Sequence, residues 1–430
     1  MNYLDTTECF LKKYNQHHSD ISIDEIVKLM LIDMENGLKG KPSSLMMIPT
    51  YLSTTGQLPL NKPVVVIDAG GTNLRLAAVQ FSENGLDVLK FEKHAMLGVK
   101  EAMTGDQFID KLVDLLMPFL QYSKNIGFCF SFPAEILANK DGKIISFSKE
   151  NKITDYQGIV LGESMNKKLK EKGYQDNINV VVLNDTVATL LGGPALKKGA
   201  SIDGQIGLIL GTGTNCAYIE KTANIFKINC NTMDEMIINT ESGMFDKVEQ
   251  GYFDKLVDND SFNPGNSKFE KMISGVYLGS VINRTIKQAA RENLFKVDEG
   301  ILNLPDFTMV EVDNFLRRPF GDNLLANATS NLSDKELLYY FIDQALQRSS
   351  KLVVSNLASD ILQMDGGKSI CSPVRIMIEG STYHKCYSFK EKINRYMIEY
   401  VNEKLSRYYL IVNDSDANMA GSAVAALKNL

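Results

Sequence analysis

Asn184-Asp185-Thr186 directly follows the apolar run Val180–Leu183 and opens a helical pattern through Val187–Leu191. A carboxylate at such a strand end suits a base aimed into a cleft. Phosphoryl transfer to an alcohol needs one carboxylate within reach of the hydroxyl, because positioning and charge neutralisation supply most of the rate. Taken alone, the tripeptide reads as a helix N-cap, a common role for Asn and Asp. Its neighbours change that reading.

Asp68-Ala69-Gly70-Gly71-Thr72-Asn73 joins two apolar runs, Val64–Asp68 and Leu74–Phe81. Glycines there let backbone N–H groups approach a polyphosphate, Thr72 offers a hydroxyl, and Asp68 is placed to hold magnesium, directly or through water. A hairpin turn needing positive φ explains the motif equally well on its own. Gly211-Thr212-Gly213-Thr214-Asn215 repeats the design after the run Ile206–Leu210, with two more glycines and two more hydroxyls. Two such turns are far more specific than one. A dinucleotide fingerprint fails, because Cys216 stands where the third glycine is due and the pattern is strand-turn-strand. Gly366-Gly367-Lys368-Ser369 looks like the end of a P-loop, but the first glycine would fall at Leu362 inside a helical pattern, so a surface loop is expected.

Other chemistries are poorly served. The four histidines, His17, His18, His94 and His384, show no metal or relay spacing, and the six cysteines include no C-x-x-C pair. Neither a zinc site nor a disulfide framework is expected, and a reducing cytosol fits best. The net charge of -6 comes without a dense basic block, so nucleic acid is not an expected partner. No signal core and no membrane-length apolar run occur, which predicts a soluble cytoplasmic protein without a membrane partner.

The elements that must position these residues follow from periodicity. Apolar spacing predicts a helix over residues 21–38 capped by Asp20, then an irregular strap over Ser44–Gly56. After the first hairpin come a strand at Val88–His94, a helix at Asp106–Tyr122 and a strand at Ile126–Phe130. Helices over Phe269–Ala290, Lys335–Met364 and Phe389–Tyr408 and a strand at Arg375–Ile378 complete an α/β order. At 430 residues the chain exceeds the usual size of a single core, so two lobes are expected, and no long segment repeats.

In this order, Met47-Ile48-Pro49-Thr50-Tyr51, Ile67-Asp68-Ala69-Gly70-Gly71-Thr72-Asn73-Leu74-Arg75, Phe130-Ser131-Phe132-Pro133-Ala134, Leu183-Asn184-Asp185-Thr186-Val187 and Leu210-Gly211-Thr212-Gly213-Thr214-Asn215 resemble the eukaryotic-type hexokinase family of the actin-like ATPase superfamily. Asn239-Thr240-Glu241-Ser242-Gly243 and Phe269-Glu270-Lys271-Met272 with Ser274–Gly279 resemble its two sugar-binding glutamate loops. The likeness runs from about residue 20 to the C-terminus.

The resemblance implies a two-lobed, ribonuclease H-like α/β fold with the site in a cleft. It assigns 61–183 plus 413–430 to a small lobe and 1–60 plus 184–412 to a large one. It further implies that Ser131, Phe132, Pro133, Ser148, Lys149, Asn184, Asp185, Asn215, Glu241 and Glu270 line a hexose. On the nucleotide side it implies Asp68, Gly70, Gly71, Thr72, Asn73, Arg75, Gly211, Thr212, Gly213, Thr214, Gly380, Ser381 and Ser415, with ATP and Mg2+ as cosubstrate and cofactor. The expected reaction moves the γ-phosphoryl group to the 6-hydroxyl of a hexose, glucose first, with mannose and fructose as alternatives. Departures from the family pattern are Glu379 for aspartate, Ser280 for glutamate and Ser148 for threonine. Two other classes stay open: a hexose-sensing regulator without turnover, which has no need of Asp185, and an actin-like or chaperone-like ATPase, which has no need of Glu241 and Glu270. Monomer and homodimer are equally compatible.

Overall fold

The computed structural model describes residues 3–147, 151–196, 201–230, 232–297, 299–413 and 416–428. Short apolar runs between turns form the strands of its two main sheets, in chain order β1 (Ile48–Pro49), β2 (Val64–Ala69), β3 (Asn73–Ser82), β4 (Gly85–Ala95), β5 (Asn125–Phe130), β6 (Asn179–Leu183), β7 (Gln205–Leu210), β8 (Thr214–Lys221), β9 (Glu235–Asn239), β10 (Val374–Glu379) and β11 (Tyr409–Val412). They build two sheets, ordered β6-β5-β2-β3-β4 and β1-β9-β8-β7-β10-β11.

The two sheets are wired alike. Each starts with an antiparallel hairpin, β2/β3 or β7/β8, adds a third antiparallel strand, β4 or β9, and then places two parallel strands on the other side, β5 and β6 or β10 and β11. The duplication has no counterpart in repeated sequence. Strand pairing asks for apolar faces and turn chemistry rather than particular residues, so the topology persists where the sequence does not repeat.

Each sheet also sends its last helix to the other. The helix Asp185–Leu196 leaves β6 and packs on β7 and β8, while the helix Ala417–Leu427 packs on β5 and β2. Where the helices cross, their backbones nearly touch. A Cβ on Gly421 would lie 1.8 Å from the Ala188 carbonyl oxygen, and one on Gly192 2.2 Å from that of Ala417. One core backs each sheet, and a third joins Val64, Val66 and Val79 of the first sheet to Val187 and Leu191 and to Ala217 of the second.

Several local expectations shift. Ser22, not Asp20, caps the helix Ile23–Leu38, because Asp20 closes a preceding turn on the His17 N–H. The strap contributes β1, which pairs with β9. The pattern at 106–122 ends at Leu116, where Pro118 tightens the chain into a 3₁₀ turn. The pattern at 269–290 breaks at extended Ser274, because the N–H groups of Gly275 and Val276 bond to the carbonyls of Gly211 and Thr212. The helix from Phe389 is α-helical to Met397 and widens into a π-helical turn over Ile398–Lys404. Among the described residues no helix is long and apolar enough to cross a membrane. All six cysteines are free thiols.

Candidate active site

Parallel β2, β5 and β6 end at one level: Asp68 pairs with Cys129, and Cys129 with Leu183. Asp68, Ser131 and Asp185 therefore emerge together at the strand ends. From the other sheet, the β7/β8 turn brings Gly213, Thr214 and Asn215. Ser131 and Asp185, with Gly213, Thr214 and Asn215 and with Phe132, Pro133, Asn184, Glu241 and Glu270, line a cavity of about 220 Å³. Drug-sized pockets begin at roughly 300 Å³, so this one suits a single small ligand rich in hydrogen-bonding groups.

The cap role falls to Asn184. Its Oδ1 accepts the Thr186 N–H at 2.9 Å and its carbonyl accepts the Ala188 N–H at 2.9 Å. Asp185 is thereby left to face the cavity, where the Ser131 hydroxyl donates to its carboxylate. Burial raises its pKa above the ordinary aspartate value, the Ser131 bond opposes this, and the charge of Asp68 adds to it. Cys129, fully buried behind these groups, has its thiol pushed far up by burial and then by the charges of Asp68 and Asp185.

Glu241 has left-handed backbone, φ 54°, which is uncommon for a residue with a side chain. The residues on either side hold it there. The N–H and Oγ1 of Thr240 both donate to the Cys216 carbonyl, at 2.9 and 2.8 Å, and the Ser242 N–H donates to Asn215 Oδ1 at 3.2 Å. Burial lifts its carboxyl to about 7; the Asn239 side chain opposes the shift, and the charges of Asp185 and Glu270 add to it. Glu270, on the short helix Lys268–Ile273, accepts the Thr214 N–H at 2.9 Å, and burial raises its pKa as well. Beside it, fully buried Lys271 pairs with Asp258 at 2.6 Å and anchors that helix.

On the other side of Asp185, Asp68 and Arg75 stand directly opposite each other in the β2/β3 ladder, with Oδ2 2.5 Å from Nη1. Asn73 Nδ2 donates to Thr72 Oγ1 at 2.9 Å. Gly70, Gly71, Gly211 and Gly213 all keep φ outside the left-handed region, so the turns do not need glycine for that reason. Packing explains two of them: a Cβ on Gly213 would meet Glu270 Oε2 at 2.6 Å, and one on Gly211 would meet Gly380 Cα at 3.3 Å. No protein atom would lie within 4 Å of a Cβ on Gly71, and only the Asn73 carbonyl oxygen, at 3.7 Å, near one on Gly70. Nothing in the fold excludes a side chain at these two positions, which is what a close-approaching ligand would explain.

Gly380, at φ 118°, is wedged against Leu210, and Thr382 Oγ1 donates to the Gly211 carbonyl at 2.7 Å, so Gly380 and Ser381 sit beside the second turn. Thr214 differs from its expected nucleotide-side place. As the first residue of β8 it turns its hydroxyl to the Ile209 carbonyl at 2.9 Å and gives its N–H to Glu270, so its donors are spent and it lines the cavity. Ser148, Lys149 and Ser415 lie outside the described residues. Asn239 opens the glutamate-loop motif but takes no role of its own from the sequence; it is the last residue of β9, two residues before Glu241. Its amide reaches both Asn215 and Glu241 at 2.8 Å.

The hexokinase family profiles match residues 11–194 and 205–428, the second alone spanning more than half of the chain. The chain belongs to the hexokinase family. It is an enzyme of ATP-dependent hexose phosphorylation. Hexokinase-7 of Oryza sativa subsp. japonica is 26% identical, over 94% of this chain and 93% of its own length. Hexokinase-1 of Schizosaccharomyces pombe is also 26% identical, over 92% of this chain and 85% of its own. The structure of a Schistosoma mansoni hexokinase complexed with glucose superposes with a TM-score of 0.77 at 23% identity, covering 99% of this chain and 98% of that one. A second hexokinase crystal structure gives 0.73 at 20% identity, over 99% of this chain and 96% of its own. These likenesses establish the two-lobed actin-like ATPase fold for this hexokinase.

Proposed function

We propose that the enzyme transfers the γ-phosphoryl group of magnesium-bound ATP to the 6-hydroxyl of a hexose, with glucose as the leading substrate and Asp185 as the base. The observation that carries this reading is the position of the Asp185 carboxylate in a small cavity whose other polar side chains are Ser131, Asn184, Thr214, Asn215, Glu241 and Glu270. Carboxylates and amides pair with the alternating donors and acceptors of a sugar, and unpaired they disfavour analogues lacking a hydroxyl. The hydroxyl proton passes to Asp185, the new oxygen–phosphorus bond forms, and the bond to the β,γ-bridging oxygen breaks to release ADP.

The two turns are the phosphate side. Unobstructed Gly70 and Gly71, with Thr72, Asn73 and Thr212, face the polyphosphate in this reading, and Gly380 and Ser381 lie toward the nucleoside. Asp68 offers one carboxylate, which fits Mg2+ because that ion is commonly held by one or two carboxylates together with phosphates and water. When bound, the ion would neutralise charge on the transferred group, and Arg75, paired with Asp68, is placed to meet phosphate. Residues 61–183 with 413–430 form the small lobe and 1–60 with 184–412 the large one, and the crossed helices join them. Hexose binding closes the lobes and expels water that would otherwise take the phosphoryl group. The free thiols fit a cytoplasmic location.

The test is a coupled assay of ADP release with Mg-ATP against glucose, mannose, fructose, N-acetylglucosamine and no sugar, run beside Asp185→Ala. Sugar-dependent release lost in the variant supports the reading and names the substrate. Sugar-independent release, or sugar binding without release, counts against it.

A further inference from the structure

Three side-chain amide and carboxylate groups, Asn215 and Glu241 at the cavity wall and Asn239 behind them, form a chain with a fixed direction. At one end, the backbone N–H groups of Cys216 and Ser242 donate to Asn215 Oδ1 at 2.7 and 3.2 Å. Asn215 Nδ2 donates to Asn239 Oδ1 at 2.8 Å, and Asn239 Nδ2 donates to Glu241 Oε1 at 2.8 Å. Backbone N–H groups can only donate, so Asn215 Oδ1 must accept, Asn215 Nδ2 must donate to Asn239 Oδ1, and Asn239 Nδ2 is left to donate to Glu241: both amides are held in one orientation from the backbone end. Asn239 is the central member, buried at 5% exposure, and it is not among the residues in the roles proposed above.

We propose that Asn239 is a positioning residue for the sugar: its carboxamide orients Asn215 and commits one oxygen of Glu241, leaving Glu241 Oε2 as the acceptor that meets the hexose. The placement of Glu241 depends on this because its backbone is left-handed and its carboxylate faces two others, Asp185 and Glu270, with Asn239 and Asn215 as the side chains that donate to Oε1. The inference rests on the cavity being the hexose site. Asn239 touches no reacting atom, so its loss acts on sugar affinity before it acts on chemistry.

Asn239→Asp is the informative substitution, being isosteric. It still accepts from Asn215 but sets an acceptor against Glu241. A hydrogen bond to a charged group is strong enough that its loss should raise KM for the sugar about ten- to a hundred-fold, with KM for ATP within about two-fold. Asn239→Ser, too short to reach either partner, should do the same and serves if the aspartate variant fails to fold, with thermal melts recording that both are native. A merely structural role is separated by a double-mutant cycle with Glu241→Ala: once both carboxylate oxygens are gone, Asn239→Ser should raise sugar KM by clearly less than it does in the parent, the remainder being what acts through Asn215. Unchanged sugar KM in the folded single variants, or full additivity in the cycle, overturns the inference while parental turnover keeps the hexose site intact. A parent protein that turns over no hexose removes the reading of the site itself, and this inference with it.

Discussion

Glu270 Oε2 lies 2.9 Å from the Thr214 nitrogen, in the space that a Cβ on Gly213 would enter at 2.6 Å from the same oxygen. A glutamate proposed to grip the sugar thus leans on the turn proposed to hold phosphate. Gly213→Ala should push Glu270 aside and raise KM for the sugar by at least about ten-fold, the scale of one lost hydrogen bond to a charged group. Gly71→Ala, whose Cβ meets open space, should leave the melting temperature and sugar KM unchanged and raise KM for ATP. Steady-state kinetics in both substrates check the pair, and equal effects of the two variants on sugar KM would refute the division.

Removing the base should separate chemistry from binding. Asp185→Asn is expected to lower kcat by about 10²–10⁴, the usual worth of a general base, while sugar binding measured by calorimetry persists. The base works ionised and its pKa is raised, so the acid limb of kcat/KM should begin above the ordinary aspartate value of 3.8. A flat profile down to that pH speaks against Asp185.

Glu241 trades stability for function. Its carboxyl holds a proton up to about 7 when folded but only to about 4.5 when unfolded, so the folded form binds more protons between these values and stability falls as pH rises through that window. Glu241→Gln should therefore melt higher than the parent at pH 8, by up to ~3 kcal/mol, and no higher at pH 4, while its sugar KM rises. Differential scanning calorimetry of the sugar-free proteins at the two pH values decides; a lower melting temperature at pH 8 contradicts it.

The crossing of the helices Asp185–Leu196 and Ala417–Leu427 should tolerate no added carbon. With 1.8 Å available to the Ala188 carbonyl, Gly421→Ala is expected to cost at least about 1–3 kcal/mol, the usual penalty of overpacking. Chemical denaturation measures it, and a neutral result would mean that the helices part easily.

Legibility followed locality. The two turns, the Asp185 strand end and most strands of the two main sheets were readable because each depends on contiguous residues whose period or turn chemistry is local. The split at Ser274 was not, since it is imposed by carbonyls of Gly211 and Thr212 some sixty residues earlier in the chain. Thr214's surroundings were not legible either: its spacing suggests a phosphate ligand, whereas its hydroxyl bonds to Ile209 and its N–H to Glu270, fifty-six residues later in the chain.

By itself, the sequence determined the family, the reaction class and the identity of the candidate base, because those reside in short motifs that keep their chemistry wherever the chain places them. Only the tertiary structure decided that the first and second glycine turns are equivalent hairpins of two like sheets, that the closing helices are exchanged between those sheets, and that Asn239 bridges Asn215 and Glu241. These are contacts between segments distant in the chain, selected by the requirement that buried donors and acceptors find partners and that helices meet where glycine leaves room.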